Sequence, residues 1–235
     1  MQEILLFFAQ VFAGTGVFLI GVNLLTSNIE QLATSGIKTL FNKTGNKKLV
    51  NVGIGTMTTA LIQSSGVTTV LIVGFVNVGL MSLQQAAAMI MGANIGTTIT
   101  AQIAALSEFD FTKYIQILSF VGIMMAMIAQ KDNIKKIGHI LAGLGLVFIG
   151  LWMMSSAMKA NQELVQPFLQ SITNPFLLFL VGIVLTALVQ SSSATTSIII
   201  AMVSGGLTIG SGGNEVLFFI LGTNIGSCVT AMMST

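Results

Sequence analysis

Two stretches of this chain concentrate amide and hydroxyl side chains in apolar surroundings. Gln190-Ser191-Ser192-Ser193-Ala194-Thr195-Thr196 lies within a segment from Pro175 to Val203 that carries no charge. Gln63-Ser64-Ser65-Gly66-Val67-Thr68-Thr69 says nearly the same thing earlier in the chain. Unpaired polar groups are costly in hydrocarbon, so these side chains must find partners in one another, in water or in a bound ion. A hydroxyl donates to an anion or accepts toward a cation, and an amide has one face for each. Two further amides, Asn94 and Asn224, sit in similar company, in Gly92-Ala93-Asn94-Ile95-Gly96 and Gly222-Thr223-Asn224-Ile225-Gly226.

The elements that must position these residues are membrane helices. Of 235 residues, 54% are hydrophobic and 7% charged, whereas a soluble domain carries about 25% charged residues. Apolar runs of spanning length recur at Ile4–Leu25, Ile137–Met158 and Pro175–Val203. The expectation is an all-α polytopic protein, multi-pass in the cell (inner, cytoplasmic) membrane, with the lipid bilayer as partner. The nine lysines are loop residues rather than a basic patch with aromatics, which argues against nucleic acid. Cys228 is the single cysteine, so an intramolecular disulfide and a multi-cysteine metal site are excluded. Met1-Gln2-Glu3 has no basic leader, and the first apolar run reads as a retained span.

The chain contains itself twice. Gly55–Thr69 matches Gly182–Thr196 with nine identities in fifteen ungapped positions. Ala13–Gly21 matches Ala142–Gly150, and Gly92–Ala101 matches Gly222–Ala231. The offsets are 129, 127 and 130 residues, in one order, which makes residues 1–130 a first repeat and 131–235 a second. After its last matched block the first copy continues through Tyr114–Ala129, whereas the second reaches only Thr235. The repeat therefore calls for one more helix, from a longer chain or from a partner.

Lysines 38, 43, 47 and 48, and 131, 135 and 136, mark two cytoplasmic segments. The regions of Glu108-Phe109-Asp110 and of Lys159 and Glu163 read as external. On that orientation the first copy starts outside and the second inside, giving two inverted-topology repeats. Asn51–Leu80 is too long for one span and is broken at Gln63-Ser64-Ser65-Gly66, so it reads as a re-entrant helical hairpin with its tip near the midplane. Pro175–Gly206 is the matching hairpin from the other side. Leu83–Leu106 and Val216–Thr235 are the broken spanning helices that follow. Gln31–Lys48 is either an interfacial amphipathic helix or a solvated basic loop.

Paired Gln-Ser-Ser motifs, each followed by a Gly-Ala-Asn-Ile-Gly-Thr-Thr or Gly-Thr-Asn-Ile-Gly-Ser block, resemble the type II sodium/phosphate cotransporter family. The likeness spans nearly the whole chain. It implies sodium-coupled import of inorganic phosphate, with Na⁺ as coupling ion and no other cofactor. On this resemblance phosphate is expected at Ser64, Ser65, Ser191, Ser192, Ser193, Asn94 and Asn224, and sodium at Gln63, Gln190, Thr68, Thr195 and Thr196. The chain departs from the family pattern at Gly66, where a serine is usual, and in having no carboxy-terminal helix or regulatory domain. A homo-oligomer is left open.

The residue types suit that chemistry. The motifs hold no fixed cation, and an unneutralised phosphate in a low-dielectric site is prohibitive. Helix N-termini at the tips and co-bound cations are the remaining remedies. The core has no obvious proton carrier, which favours Na⁺ over H⁺. The competing readings are transport of another small anion, a passive anion channel, and, last, an intramembrane enzyme, for which no base stands near Ser191–Ser193 to activate a nucleophile. The glycines of the matched blocks, including Gly14, Gly16, Gly143 and Gly145, read as helix-packing positions.

Overall fold

The computed structural model describes residues 2–41, 47–109 and 112–233, and they form helices joined by short turns, with no strand among them. Lys43 and Asp110, used above to orient the chain, lie outside the described residues. Helix α1 covers Gln2–Phe41, α2 Lys48–Ile62, α3 Ser65–Asn77 and α4 Leu83–Ala105. A 3₁₀ turn at Leu106–Glu108 and the short α5, Thr112–Ile115, lead into α6, Ile117–Ile128. Then come α7 Asp132–Ala160, α8 Gln162–Ser171, α9 Pro175–Val189, α10 Ser192–Ser204 and α11 Glu215–Met233. Among the described residues two helices are long and apolar enough to cross a membrane, over Glu3–Leu32 and Asp132–Ala160. The pair α8–α9, bent by 116°, makes a third candidate. Helix α4 and the described part of α11 fall outside that set, yet each is one unbroken helix. Gly92, Asn94 and Gly96, and Gly222, Asn224 and Gly226, keep helical backbone instead of breaking the span as the sequence reading expects, because the glycines serve close helix contact.

Small residues set the helix pairings. Helices α1 and α7 lie antiparallel: Gly14 meets Met154 and the Gly150 carbonyl, Gly150 meets Phe18, and Gly21 meets Val147 and the Gly143 carbonyl. Phe18, Leu151 and Met154 fill the space around this seam and are essentially inaccessible. In turn α6 lies antiparallel on another face of α7, with Gly122 against Ala142 and Ser119 against Gly145.

Helices α2 and α4, in contrast, run side by side in the same direction. Gly92 abuts Val52 and Thr56, Gly96 abuts Thr56, Thr59 and Ala60, and Thr100 reaches Gln63. Two neighbouring helices joined by a short connection can be parallel only if the connection travels back, and α3 makes that return. Its start is capped by Ser64, and a capping box of Ser82 and Gln85 starts α4. The same contacts recur in α9 and α11: Gly182 on the Phe219 carbonyl, Gly222 on the Phe179 carbonyl, and Gly226 on Thr186. Each of these stands at the repeat offset from Gly55 on Met89, Gly92 on Val52 and Gly96 on Thr59. Helix α3 packs on α11, and α10 packs on α4.

Two further features differ from the sequence reading or extend it. Helix α1 continues unbroken to Phe41, so most of Gln31–Lys48 is helical; residues 42–46 lie outside the description. The amphipathic α8 has no counterpart in that reading. Gln162, Gln166 and Gln170 recur every four residues on one face, and they bond Gly206 and Thr208 in the loop after α10. This docks α8 across the chain end of α10 and accounts for its sharp angle to α9.

Candidate functional site

Each polar motif sits where a helix stops and another begins. Helix α2 ends at Ile62 because Gln63 adopts the left-handed conformation, φ 57° and ψ 20°. Helix α9 ends the same way at Gln190, φ 56° and ψ 24°. These are the only non-glycine residues with positive φ among those described. Glycine is the usual occupant of such a helix end, and a side chain here costs about 1–2 kcal/mol of backbone strain. The next residue is extended in both cases and caps the following helix: Ser64 Oγ accepts from Val67 N at 3.3 Å, and Ser191 Oγ from Ala194 N at 3.2 Å. The first-turn N–H groups of Ser65 and Gly66, and of Ser192 and Ser193, have no acceptor within their own helices.

The two breaks face one cavity of about 290 Å³. Gln63, Ser64 and Ser65 line it from one side and Gln190, Ser191, Ser192 and Ser193 from the other. None of the residues lining it is charged or titratable. Among the described residues no group of His, Cys, Asp or Glu is placed to hold a metal ion. Positive potential at the cavity therefore comes from the starts of α3 and α10.

The other expected residues lie around this cavity rather than on it. Thr68 and Thr195 are buried one turn into α3 and α10, and their hydroxyls donate to Ser64 O and Ser191 O at 2.9 and 3.0 Å. Thr196 is half-buried on α10. Asn94 and Asn224 are exposed at equivalent places on α4 and α11 and do not line the cavity. Gln63 is fixed from both ends of its amide: Nε2 donates to Ala60 O and Oε1 accepts from Thr100 Oγ1, each at 2.6 Å.

The sequence reading missed Ser227, which lines the cavity from α11. Its signal was the Gly226-Ser227 pair directly after Asn224-Ile225, on the helix that α3 packs against. It also missed Thr59 and Thr186, one turn before each glutamine. Both are fully buried, and their hydroxyls have no protein partner. They are equivalent in the two motifs, and their Cβ atoms press on Gly96 and Gly226.

Broken helices around an uncharged, hydroxyl-lined cavity, beside long apolar helices, define an α-helical membrane protein of the solute-transport type. The chain belongs to the Na⁺/Pi-cotransporter family, whose profile matches residues 17–156 and 156–235. It is 27% identical over 227 residues to the uncharacterized protein YqeW of Bacillus subtilis strain 168, covering 92% of this chain and 69% of that protein. It is 26% identical over 217 residues to YjbB of Escherichia coli K12, provisionally named an inorganic phosphate export protein, covering 91% of this chain and 39% of YjbB. A 60-residue stretch is 43% identical to human sodium-dependent phosphate transport protein 2B, covering 26% of this chain and 9% of that protein. No solved structure matches the chain.

Proposed function

We propose that this chain is the transport unit of a sodium-coupled secondary active transporter that imports inorganic phosphate through the cavity between the two helix breaks. One observation carries the reading: two copies of one Gln-Ser-Ser break face a single cavity that holds no charged side chain. An oxyanion there meets serine hydroxyls and helix-start N–H groups, and its remaining charge requires a co-bound cation. Ser64, Ser65, Ser191, Ser192 and Ser193 are the phosphate donors in this reading. Gln63, Gln190, Thr68, Thr195 and Thr196 supply oxygens to Na⁺. A threonine hydroxyl that donates to a helix carbonyl keeps its lone pairs for a cation. Asn94 and Asn224, outside the lining, are left without a ligand role.

In this reading α2–α3 and α9–α10 are re-entrant hairpins entering from opposite sides of the membrane. Residues 1–130 and 131–235 are repeats related by a two-fold axis in the membrane plane. The support is geometric. The repeat-equivalent helices α1 and α7 are antiparallel, and their contact of Gly14 with Gly150 is repeated by Gly143 with Gly21 at the 129-residue offset. Movement of one hairpin set against the other then exposes the cavity to alternate sides. Export is a second reading, favoured by the name of YjbB. Phosphate flux in oriented vesicles under an imposed Na⁺ gradient separates the two directions.

The first test is calorimetry of phosphate binding to the purified protein in sodium and in choline. Binding is expected only in sodium. Ser192→Ala removes a hydrogen bond to a charged ligand, worth about 1.5–3 kcal/mol, so affinity should fall roughly 10- to 100-fold. Gln190→Ala removes an oxygen ligand of Na⁺, and the sodium-dependent phosphate affinity should fall with it. Equal binding in both salts, or normal affinity in a folded Ser192→Ala protein, would overturn the assignment.

A further inference from the structure

The face of α7 that receives α6 has an uncovered twin on α1. On α7 the contact is made by Gly138, Ala142 and Gly145, all buried. A Cβ on Gly145 would come within 2.3 Å of Ser119 N, and one on Gly138 within 2.7 Å of Ala126 N, so α6 fits there only because these residues are small. At the 129-residue offset stand Ala9, Ala13 and Gly16 of α1. They are small in the same register, yet Ala9 and Ala13 are exposed, and nothing lies within 4 Å of a Cβ built on Gly16. Leu5, Phe12 and Ile20, which flank them on this face, are 72%, 68% and 60% exposed. An open groove of about 520 Å³ runs alongside, between Ala9, Ala13 and Trp152.

We propose that this face of α1 seats one apolar membrane helix, the second-repeat counterpart of α6. It lies antiparallel to α1 and sets small residues against Ala9, Ala13 and Gly16. The inference rests on the inverted-repeat relation proposed above. Membrane helices gain little from apolar burial alone, since lipid is equally apolar; close approach over small residues is what holds them together. A Gly/Ala stripe on a lipid-facing helix would have no such use, and its twin on α7 is occupied. The repeat relation defines what the occupant is like. Its chemistry is that of α6, an uncharged helix with small residues at the spacing of Ser119, Gly122 and Ala126.

A synthetic peptide of residues 112–129, flanked by lysines for solubility, is the probe, because α6 is itself the template for the missing contact. The protein carries Cys228→Ser and Ala9→Cys in lipid nanodiscs, and the peptide carries Ala126→Cys. The expected result is a saturable disulfide between protein and peptide, absent for a Leu188→Cys control at an exposed position on α9. Adding Gly16→Leu should weaken it about tenfold, the effect of losing a close helix contact. Gly16 faces open space, so that variant should fold and elute as the parent does. No cross-link, equal cross-linking at Leu188→Cys, or indifference to Gly16→Leu overturns the proposal. Peptide-independent dimers through Ala9→Cys also overturn it, by giving the face to a second copy. The readout uses neither phosphate nor sodium, so its failure leaves the transport reading to stand or fall on calorimetry.

Discussion

At the scale of the residue, two glutamines do what glycine ordinarily does. Gln63 and Gln190 end their helices in the left-handed region, and strain of this kind persists where the surroundings fix it and function uses it. Glycine there would relax the backbone but would remove the only amides at the cavity. The threonines one turn earlier show a second local cost. Thr59 and Thr186 each bury a hydroxyl with no protein acceptor, which costs about 1–3 kcal/mol if nothing else satisfies it. Valine keeps the shape and removes the hydroxyl. In sodium-free detergent Thr186→Val should therefore raise the unfolding midpoint, by a stabilisation of about 1 kcal/mol. A lowered midpoint in that experiment would mean that the hydroxyl holds something, a water or a cation, that the protein depends on.

At the scale of the element, backbone contact rather than side-chain interdigitation sets the positions of the half-helices. A Cβ on Gly92 would fall 2.0 Å from Val52 O, and one on Gly222 would fall 2.1 Å from Phe179 O. Neither neighbour is a flexible side-chain end that can move aside. Gly92→Val should push α4 off α2, cost at least the roughly 1–3 kcal/mol of an overpacked core, and lower the yield of monodisperse protein in size-exclusion chromatography. Gly53 on α2 and Gly74 on α3 have open space around them, so alanine at either should leave yield unchanged. The sequence read the element level well for a physical reason. The blocks Gly55–Thr69 and Gly182–Thr196 recur because the same close contacts recur, and the polar runs at Gln63 and Gln190 mark where helices break, whereas the blocks around Asn94 and Asn224, read as breaks too, lie inside unbroken helices. It read α8 poorly, since the glutamines at 162, 166 and 170 gain their meaning only from the loop at Gly206 and Thr208. It likewise gave Asn94 and Asn224 a place at the site on motif alone, and both are exposed and outside the cavity lining.

At the scale of the whole molecule, the arrangement ties charge distribution to direction. Helix α7 begins in the lysine-bearing link at 131–136, where Lys136 pairs with Asp132 at 2.8 Å, and ends at Ala160 with Lys159 in its last turn. Because α1 is antiparallel to α7, with Leu25 against Gly143 and Gly14 against Met154, the far end of α1 lies on the side of that link. Positive loop charge on one side fixes the orientation of the whole bundle. In a cysteine-free background, Asn133→Cys should then react with a membrane-impermeant maleimide only from the cytoplasmic side, and Asn161→Cys only from outside. Ser64→Cys and Ser191→Cys, at the two tips, should each react from whichever side the cavity opens to, and sodium with phosphate should protect both together. Protection of one tip alone would separate the two breaks into independent features and remove the basis for a shared site. Protection of both, with opposite sidedness at Asn133 and Asn161, would make a pair of inverted half-helix breaks the transport pathway itself.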